Sequence, residues 1–316
     1  MPENVTEIVP LQTLSGHLDD VTDVAFSPDN TLVASASLDG TVRIWRTADG
    51  GLERILEGHE DHVLSVAFST DGQTLATASD DRTVKLWQVS DGELIKTIQS
   101  WLQGRALVVE YSPDGSLLAI GGHQCFVELR SAGSGILRRT LAQPSCVVKH
   151  YGSVGYFGIA FSPDGSEILT GEGRACCGGS IQRWIVEEIV EPELVRGYDL
   201  VIRDLAYAPD GEHVAIALVG SPFFWLVSDG EFHAPEVLEG HVWRVNSLDF
   251  SPDSQLILSG SRDYTLRLWS VEGGEAIHTL EGHVDGANNA AFSPDGSMIA
   301  SGSEDDTVIL WGLPAP

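Results

Sequence analysis

The stretch Val21-Thr-Asp-Val-Ala-Phe26-Ser-Pro-Asp-Asn30-Thr-Leu-Val-Ala-Ser35-Ala-Ser-Leu-Asp-Gly40-Thr-Val-Arg-Ile-Trp45 decides the fold. Two runs of β-branched, aromatic and small residues, Val21 to Phe26 and Leu32 to Ser37, flank Pro28-Asp29-Asn30. A third, Thr41 to Trp45, follows Leu38-Asp39-Gly40. Short runs of this kind, separated by Pro-Asp and Asp-Gly, predict antiparallel strands joined by tight turns that need positive φ. A fourth short strand is expected at Leu52 to Leu56, before the pattern restarts.

The pattern restarts six times. An aromatic residue followed by Ser/Ala-Pro/Thr-Asp occurs at Phe26, Phe68, Tyr111, Phe161, Tyr207, Phe250 and Phe292, in steps of 42, 43, 50, 46, 43 and 42 residues. A fixed period of this length is the mark of a repeat architecture. Seven units fill the 316 residues as one domain, 1–316, and four strands per unit predict an all-β, seven-bladed β-propeller of four-stranded antiparallel blades.

Composition narrows the partners. There are 46 acidic and 18 basic side chains, for a net charge of −28, and only three residues are lysine. Such a surface repels phosphate backbones and anionic lipid, so neither nucleic acid nor a membrane is expected as a partner. The start, Met1-Pro2-Glu3-Asn4, has no basic and apolar leader, and the most apolar stretch, Val214 to Val227, is interrupted by Gly220 and Pro222. Four cysteines without a secretory signal fit a reducing, cytoplasmic setting.

Four units carry a further pattern. Gly16-His17, Gly58-His59, Gly240-His241 and Gly282-His283 open them, Asp39, Asp81, Asp263 and Asp305 follow each histidine by 22 residues, and Trp45, Trp87, Trp269 and Trp311 come six later. In this the chain resembles the WD-repeat family of β-propellers. The resemblance implies that each His and Asp joins Ser35, Thr77, Ser259 or Ser301 in a hydrogen-bonded chain ending on the indole N–H. A buried indole needs such an acceptor. The Asp that follows Trp in the family name is absent, its place taken by Arg46, Gln88, Ser270 and Gly312. Units three to five lack the set: Leu102, Gln124 and Arg130 stand at the His, Asp and Trp positions of unit three, unit four has a turn lengthened through Gly171 to Gly179, and unit five has no Asp between Leu218 and Trp225. Those three blades are expected to rest on apolar packing alone, with the least regular turns.

Only five residues follow Trp311, too few for a fourth strand in unit seven. Glu7 to Leu14 precedes Gly16-His17 as Glu275 to Leu280 precedes Gly282-His283, so residues near 8 to 14 are expected to complete blade seven and close the ring.

Ser, His and Asp together invite a catalytic-triad reading, but four copies each in register with a tryptophan fit structure better than one exposed nucleophile. No catalytic residue and no cofactor is expected. His123, Cys125, Cys146, His150, Cys176 and Cys177 gather in units three and four, and three outcomes stand open for them: a zinc site, a disulfide such as Cys146 with Cys176 or Cys177, or plain thiols in degenerate turns.

The resemblance also implies a binding face. Partners of WD-repeat propellers commonly dock over the mouth of the central channel, through residues three and five after the repeat histidine and the residue before the repeat aspartate. Here the first set is Asp20, His62, Arg105, Gly155, Val201, Arg244 and Gly286. The second is Thr22, Leu64, Leu107, Phe157, Arg203, Asn246 and Asn288, and the third Leu38, Asp80, His123, Arg262 and Glu304. Arg105, Arg203, Arg244 and Arg262 would receive an acidic or phosphorylated peptide, with Leu64, Leu107 and Phe157 as apolar anchors and Asn246 beside them; alternatively the arginines pair with neighbouring carboxylates. Trp243 is either an exposed anchor or packed between blades. The expectation is a non-enzymatic, monomeric scaffold binding a protein or peptide, whether self-contained or one module of a longer chain, with a metal-dependent propeller as the alternative.

Overall fold

The computed structural model describes residues 8–99, 106–122, 126–142, 154–174, 178–188, 192–198, 201–228 and 235–313. They form seven four-stranded antiparallel sheets, each a meander in chain order apart from the seventh. Blade one runs Val21–Phe26, Leu32–Ser37, Val42–Arg46 and Leu52–Leu56 from the channel outward. The innermost strands meet their neighbours in cyclic order, the seventh, Ala287–Phe292, returning to Val21–Phe26. Among the described residues no helix is long and apolar enough to cross a membrane.

The turns explain the repeated Ser-Pro-Asp. In blade one Ser27 Oγ donates to Asp29 Oδ1 at 2.6 Å, and the same carboxylate accepts the backbone N–H of Thr31, fixing the reversal. The next position is left-handed in all seven copies, as Gly72, Gly115, Gly165, Gly211 and Gly296, with Asn30 (φ 61°) and Ser254 (φ 61°) in the other two. That conformation is free for glycine and tolerated by asparagine, hence the recurring Asp-Gly.

The core lies between blades. Leu56, Val63, Val66, Phe68, Leu75 and Trp87 fill the layer joining blades one and two, and the layer joining seven and one buries Leu14, Val21, Phe26, Trp45, Val308 and Leu310. Each sheet alone would leave both faces wet, so apolar burial stabilises the ring rather than the blade.

Closure follows the expected route. Val9–Ser15 pairs antiparallel with Thr307–Gly312, placing Leu14 opposite Val308 and Val9 opposite Gly312, with a register shift between Pro10 and Gln12. The strand is outermost in its sheet, so the N–H that proline lacks need not be part of an interior ladder.

The expectation that blades three to five rest on apolar packing alone is corrected for blades three and four. In blade four Trp184 Nε1 donates to Thr170 Oγ1 at 3.0 Å, keeping the indole's acceptor. In blade three Arg130 holds the tryptophan position, opposite Leu118 as Trp45 is opposite Val33, and donates from Nε to Glu128 Oε2 at 2.7 Å. A polar pair thus replaces the indole, and Nη1 also reaches Gly135 O. The lengthened turn of unit four is mostly strand: Glu167–Arg174 and Gly178–Ile185 stay paired up to Arg174 opposite Gly178. Blade five, without its Asp, still makes a regular reversal, with Gly220 at φ 78° and Ser221 N–H donating to Leu218 O. The turn residues 123–125 and 175–177 lie outside the described residues.

Candidate docking site on the loop face

The four His-Ser/Thr-Asp-Trp sets are structural. Trp45 Nε1 donates to Ser35 Oγ at 2.9 Å, Ser35 Oγ lies 2.8 Å from His17 Nε2, and His17 Nδ1 lies 2.9 Å from Asp39 Oδ2. The serine hydroxyl donates to a histidine carrying its proton on Nδ1, which donates in turn to the carboxylate; every member is satisfied. Burial opposes ionisation of Asp39, but hydrogen bonds from Thr41, His17 and Leu18 prevail and hold its carboxyl at about 2. Burial lowers the pKa of His17 and of His241, keeping both neutral. The same contacts recur at His59, His241 and His283. A serine hydroxyl sealed against an indole is no nucleophile for an outside substrate.

The sets serve the face above them. The N–H after each histidine, in Leu18, Glu60, Val242 and Val284, donates to the network aspartate, so the network pins the loop that opens the blade. That loop is bonded in turn to the reversal between the second and third strands. Leu38 N–H donates to Asp20 O, Asp80 to His62, Val219 to Val201, Arg262 to Arg244 and Glu304 to Gly286. Asp20 with Leu38, His62 with Asp80, Arg244 with Arg262 and Gly286 with Glu304 are therefore neighbours on one face.

The second set is aimed by a device the sequence did not reveal. Every innermost strand has a register shift near its start, between Val21 and Asp23, Val63 and Ser65, Ala106 and Val108, Tyr156 and Gly158, Ile202 and Asp204, Val245 and Ser247, and Ala287 and Asn289. The skipped residues are Thr22, Leu64, Leu107, Phe157, Arg203, Asn246 and Asn288. A bulge of this kind leaves one residue outside the ladder and redirects its side chain.

Six of these residues, Thr22, Leu64, Leu107, Arg203, Asn246 and Asn288, line a cavity of about 340 Å³, with Asp20, Leu38 and Glu304 from the other two sets. Arg244 and Arg262 stand on the rim, 3.8 and 3.9 Å from the two oxygens of Glu304. Trp243 is exposed, and the Arg262 guanidinium sits 5.8 Å from its ring centre. Arg105, His123, Cys125, Cys146, His150, Cys176 and Cys177 lie outside the described residues. So does the side chain of Phe157, whose backbone belongs to the strand Val154–Phe161.

Sequence reading missed the carboxylates of the channel. Asp23 and Asp204 line the mouth, each accepting its following N–H (Val24, Leu205) and an N–H of the next blade (Val66, Leu248) at 2.8 Å. Asp249 accepts Phe292 N–H across the next joint at 2.7 Å, and Glu110 accepts Phe161 N–H at 3.3 Å. Burial raises Asp23 to about 7, Asp204 to about 6, Asp249 to about 7 and Glu110 to about 8. Arg203 keeps solvent contact through the mouth, yet the protein crowds it enough to lower its guanidinium pKa. On the rim of blades seven and one, burial and the carboxylates of Glu304, Asp19, Asp306 and Asp285 raise Asp20. The loop face is thus divided between a basic, aromatic shoulder on blades five and six and an acidic quarter on blades seven and one.

The family model for the WD domain, G-beta repeat, matches residues 8–46, 50–88, 234–270 and 274–312, which are the four blades carrying complete networks. Periodic tryptophan protein 2 of Arabidopsis thaliana is 28% identical over 166 residues, 52% of this chain and 17% of that protein. Actin-interacting protein 1 of Drosophila melanogaster is 28% identical over 52% of this chain and 26% of its own length, and eukaryotic translation initiation factor 3 subunit I of Pyricularia oryzae is 34% identical over 28% and 26%. The chain thus spans well under half the length of these relatives. With seven four-stranded blades, four intact His-Ser/Thr-Asp-Trp networks and four matched repeats, it belongs to the WD-repeat family of β-propellers.

Proposed function

We propose that the protein is a non-enzymatic scaffold, working in the cytoplasm as a monomeric ring, whose loop face binds a protein or peptide over the channel mouth. The observation that carries this reading is the sevenfold bulge, six of whose skipped residues line a single mouth beneath a rim holding exposed Trp243 with Arg262 over its ring. Rigid sheets with variable loops at one end suit recognition without chemistry. Two relatives are named for association with other proteins, an actin-interacting protein and a subunit of a translation initiation factor. In this reading Arg203, Arg244 and Arg262 take an acidic or phosphorylated group of the partner, the two rim arginines exchanging their long contacts to Glu304 for bidentate ones. Affinity capture from the native host with wild type and with Arg203→Ala, Arg244→Ala and Arg262→Ala tests it. Loss of the same partner in these variants supports the reading, and equal recovery by all of them overturns it.

A further inference from the structure

The chemistry of the mouth is lopsided. Among the described residues its lining offers four carboxylates (Asp20, Asp23, Asp204, Glu304) and three amides against one cation, Arg203. Asp23 and Asp204 are committed to backbone N–H groups, so they shape the field rather than grip a ligand. Among the described residues the Asp20 carboxylate accepts no donor, and the Glu304 carboxylate has only its long contacts to Arg244 and Arg262. Asn246 adds an independent sign. It is 3% exposed, its Nδ2 is given to Ala287 O at 2.9 Å, and its Oδ1 has no partner. An acceptor buried in this way favours a donor brought into the cavity.

The rim beside this quarter is apolar. Leu18, Val242 and Val284 occupy the same position on three successive joints and are 84%, 74% and 80% exposed. Their N–H groups are tied to Asp39, Asp263 and Asp305, so the side chains are held outward on a fixed frame. Trp243, which follows Val242, and Tyr264, which follows Asp263, are exposed as well. Tyr264 (φ 75°) and Asp306 (φ 65°) hold a left-handed turn position where blade one uses Gly40, a strain that a glycine would remove. Apolar side chains repeated at one position around a charged mouth mark a contact surface more than scattered exposure does.

We propose that the mouth receives a single lysine or arginine side chain from an apolar segment of a partner protein, the cation lying toward Asp20, Glu304 and Asn246 and its apolar neighbours on the arc of Leu18, Val284, Val242 and Trp243. The proposal rests on the loop face being the docking face, and names the residue that is read there. A cavity of about 340 Å³ admits one long side chain and excludes a helix, whose diameter is about 10 Å. A cation also relieves the crowding at Asp20 and Asp306, whose carboxyls are raised by burial and by the carboxylates around them.

A phage-displayed library of random dodecapeptides, panned on the wild-type protein, provides the probe. The expected result is recovery of peptides sharing a Lys or Arg beside apolar residues. A synthetic peptide of that group should bind Asp20→Asn and Glu304→Gln at least roughly tenfold more weakly and bind Arg244→Ala within about threefold of wild type. Unchanged melting temperatures show that the variants are folded. Basic peptides insensitive to both carboxamide variants overturn the proposal, because they are held by the general acidity of the surface. Recovery of Asp- or Glu-bearing peptides that lose binding in Arg203→Ala and Arg244→Ala overturns it while upholding the arginine reading of the face. Failure to recover any peptide overturns both.

Discussion

Arg130 and Glu128 stand two residues apart on the third strand of blade three and are joined by a 2.7 Å bond from Nε to Oε2, where five of the other blades place an indole. Both are buried, 5% and 1% exposed. Breaking such a pair from one side strands a charge, which typically costs about 3–5 kcal/mol, whereas replacing both partners with apolar residues is close to neutral. Arg130→Ala and Glu128→Ala should each lower the melting temperature more than the double variant Glu128→Leu/Arg130→Met. Calorimetry of the three proteins checks the ordering, and a double variant below both singles would show that the pair is a net stabiliser.

The networks predict a graded response. Ser35→Ala removes the acceptor of Trp45 and the donor to His17 together, and a buried indole N–H without a partner costs about 1–3 kcal/mol. Thr170→Val in blade four strands only Trp184 among the contacts described, so its effect should be smaller. Thermal unfolding of both variants decides whether the histidine adds to the indole's stabilisation.

Ring closure makes a third prediction. Leu14 is buried in the layer between blades seven and one, so Leu14→Ala should destabilise by about 2–5 kcal/mol. Deleting residues through 15 removes the whole ladder to Thr307–Gly312 and should lower the melting temperature further. An unchanged melting temperature in the deletion would mean that Val9–Ser15 does not hold the ring.

Two sets of carboxylates oppose each other as pH changes. Asp39, at about 2 in the fold against 3.8 ordinarily, contributes stability above pH 4 that is lost as pH falls toward 2. Asp23, Asp204, Asp249 and Glu110 behave in the opposite sense: the folded protein retains their protons up to about 6 to 8 while the unfolded chain has released them, so stability falls as pH rises from 4 to 8. The melting temperature should peak near pH 4. Glu110→Gln, whose amide oxygen can still accept Phe161 N–H, should raise it at pH 8 by roughly 1–3 °C and leave it little changed at pH 4.

The repeat, the seven blades, the borrowed strand and the four networks were legible because each depends on residue type at fixed spacing. His17, Ser35, Asp39 and Trp45 can be counted along the chain. The Arg130–Glu128 pair was not legible, since a charged residue at an indole position looks like a loss until its partner is seen. The channel carboxylates were hidden by the bulge: skipping Thr22 turns Asp23 toward the channel, and simple alternation from Val21 does not place both. The mouth's shape depends on seven such skips at once, and its acidity on residues that no single repeat flags.

The pairing of Val9 with Gly312 also sets the order in which the molecule can be made. Six blades can form from contiguous chain, but the seventh must wait for both of its distant parts, and Asn288 Nδ2 seals the same joint by donating to Val21 O across 267 positions. Contacts this remote in sequence slow folding, so the final closing step should be the slow one, with the first innermost strand waiting at an open seam. The same adjacency brings the two strand ends out side by side. Force applied between them would peel the seam open one bond at a time, making the joint that completes the ring also its mechanical release.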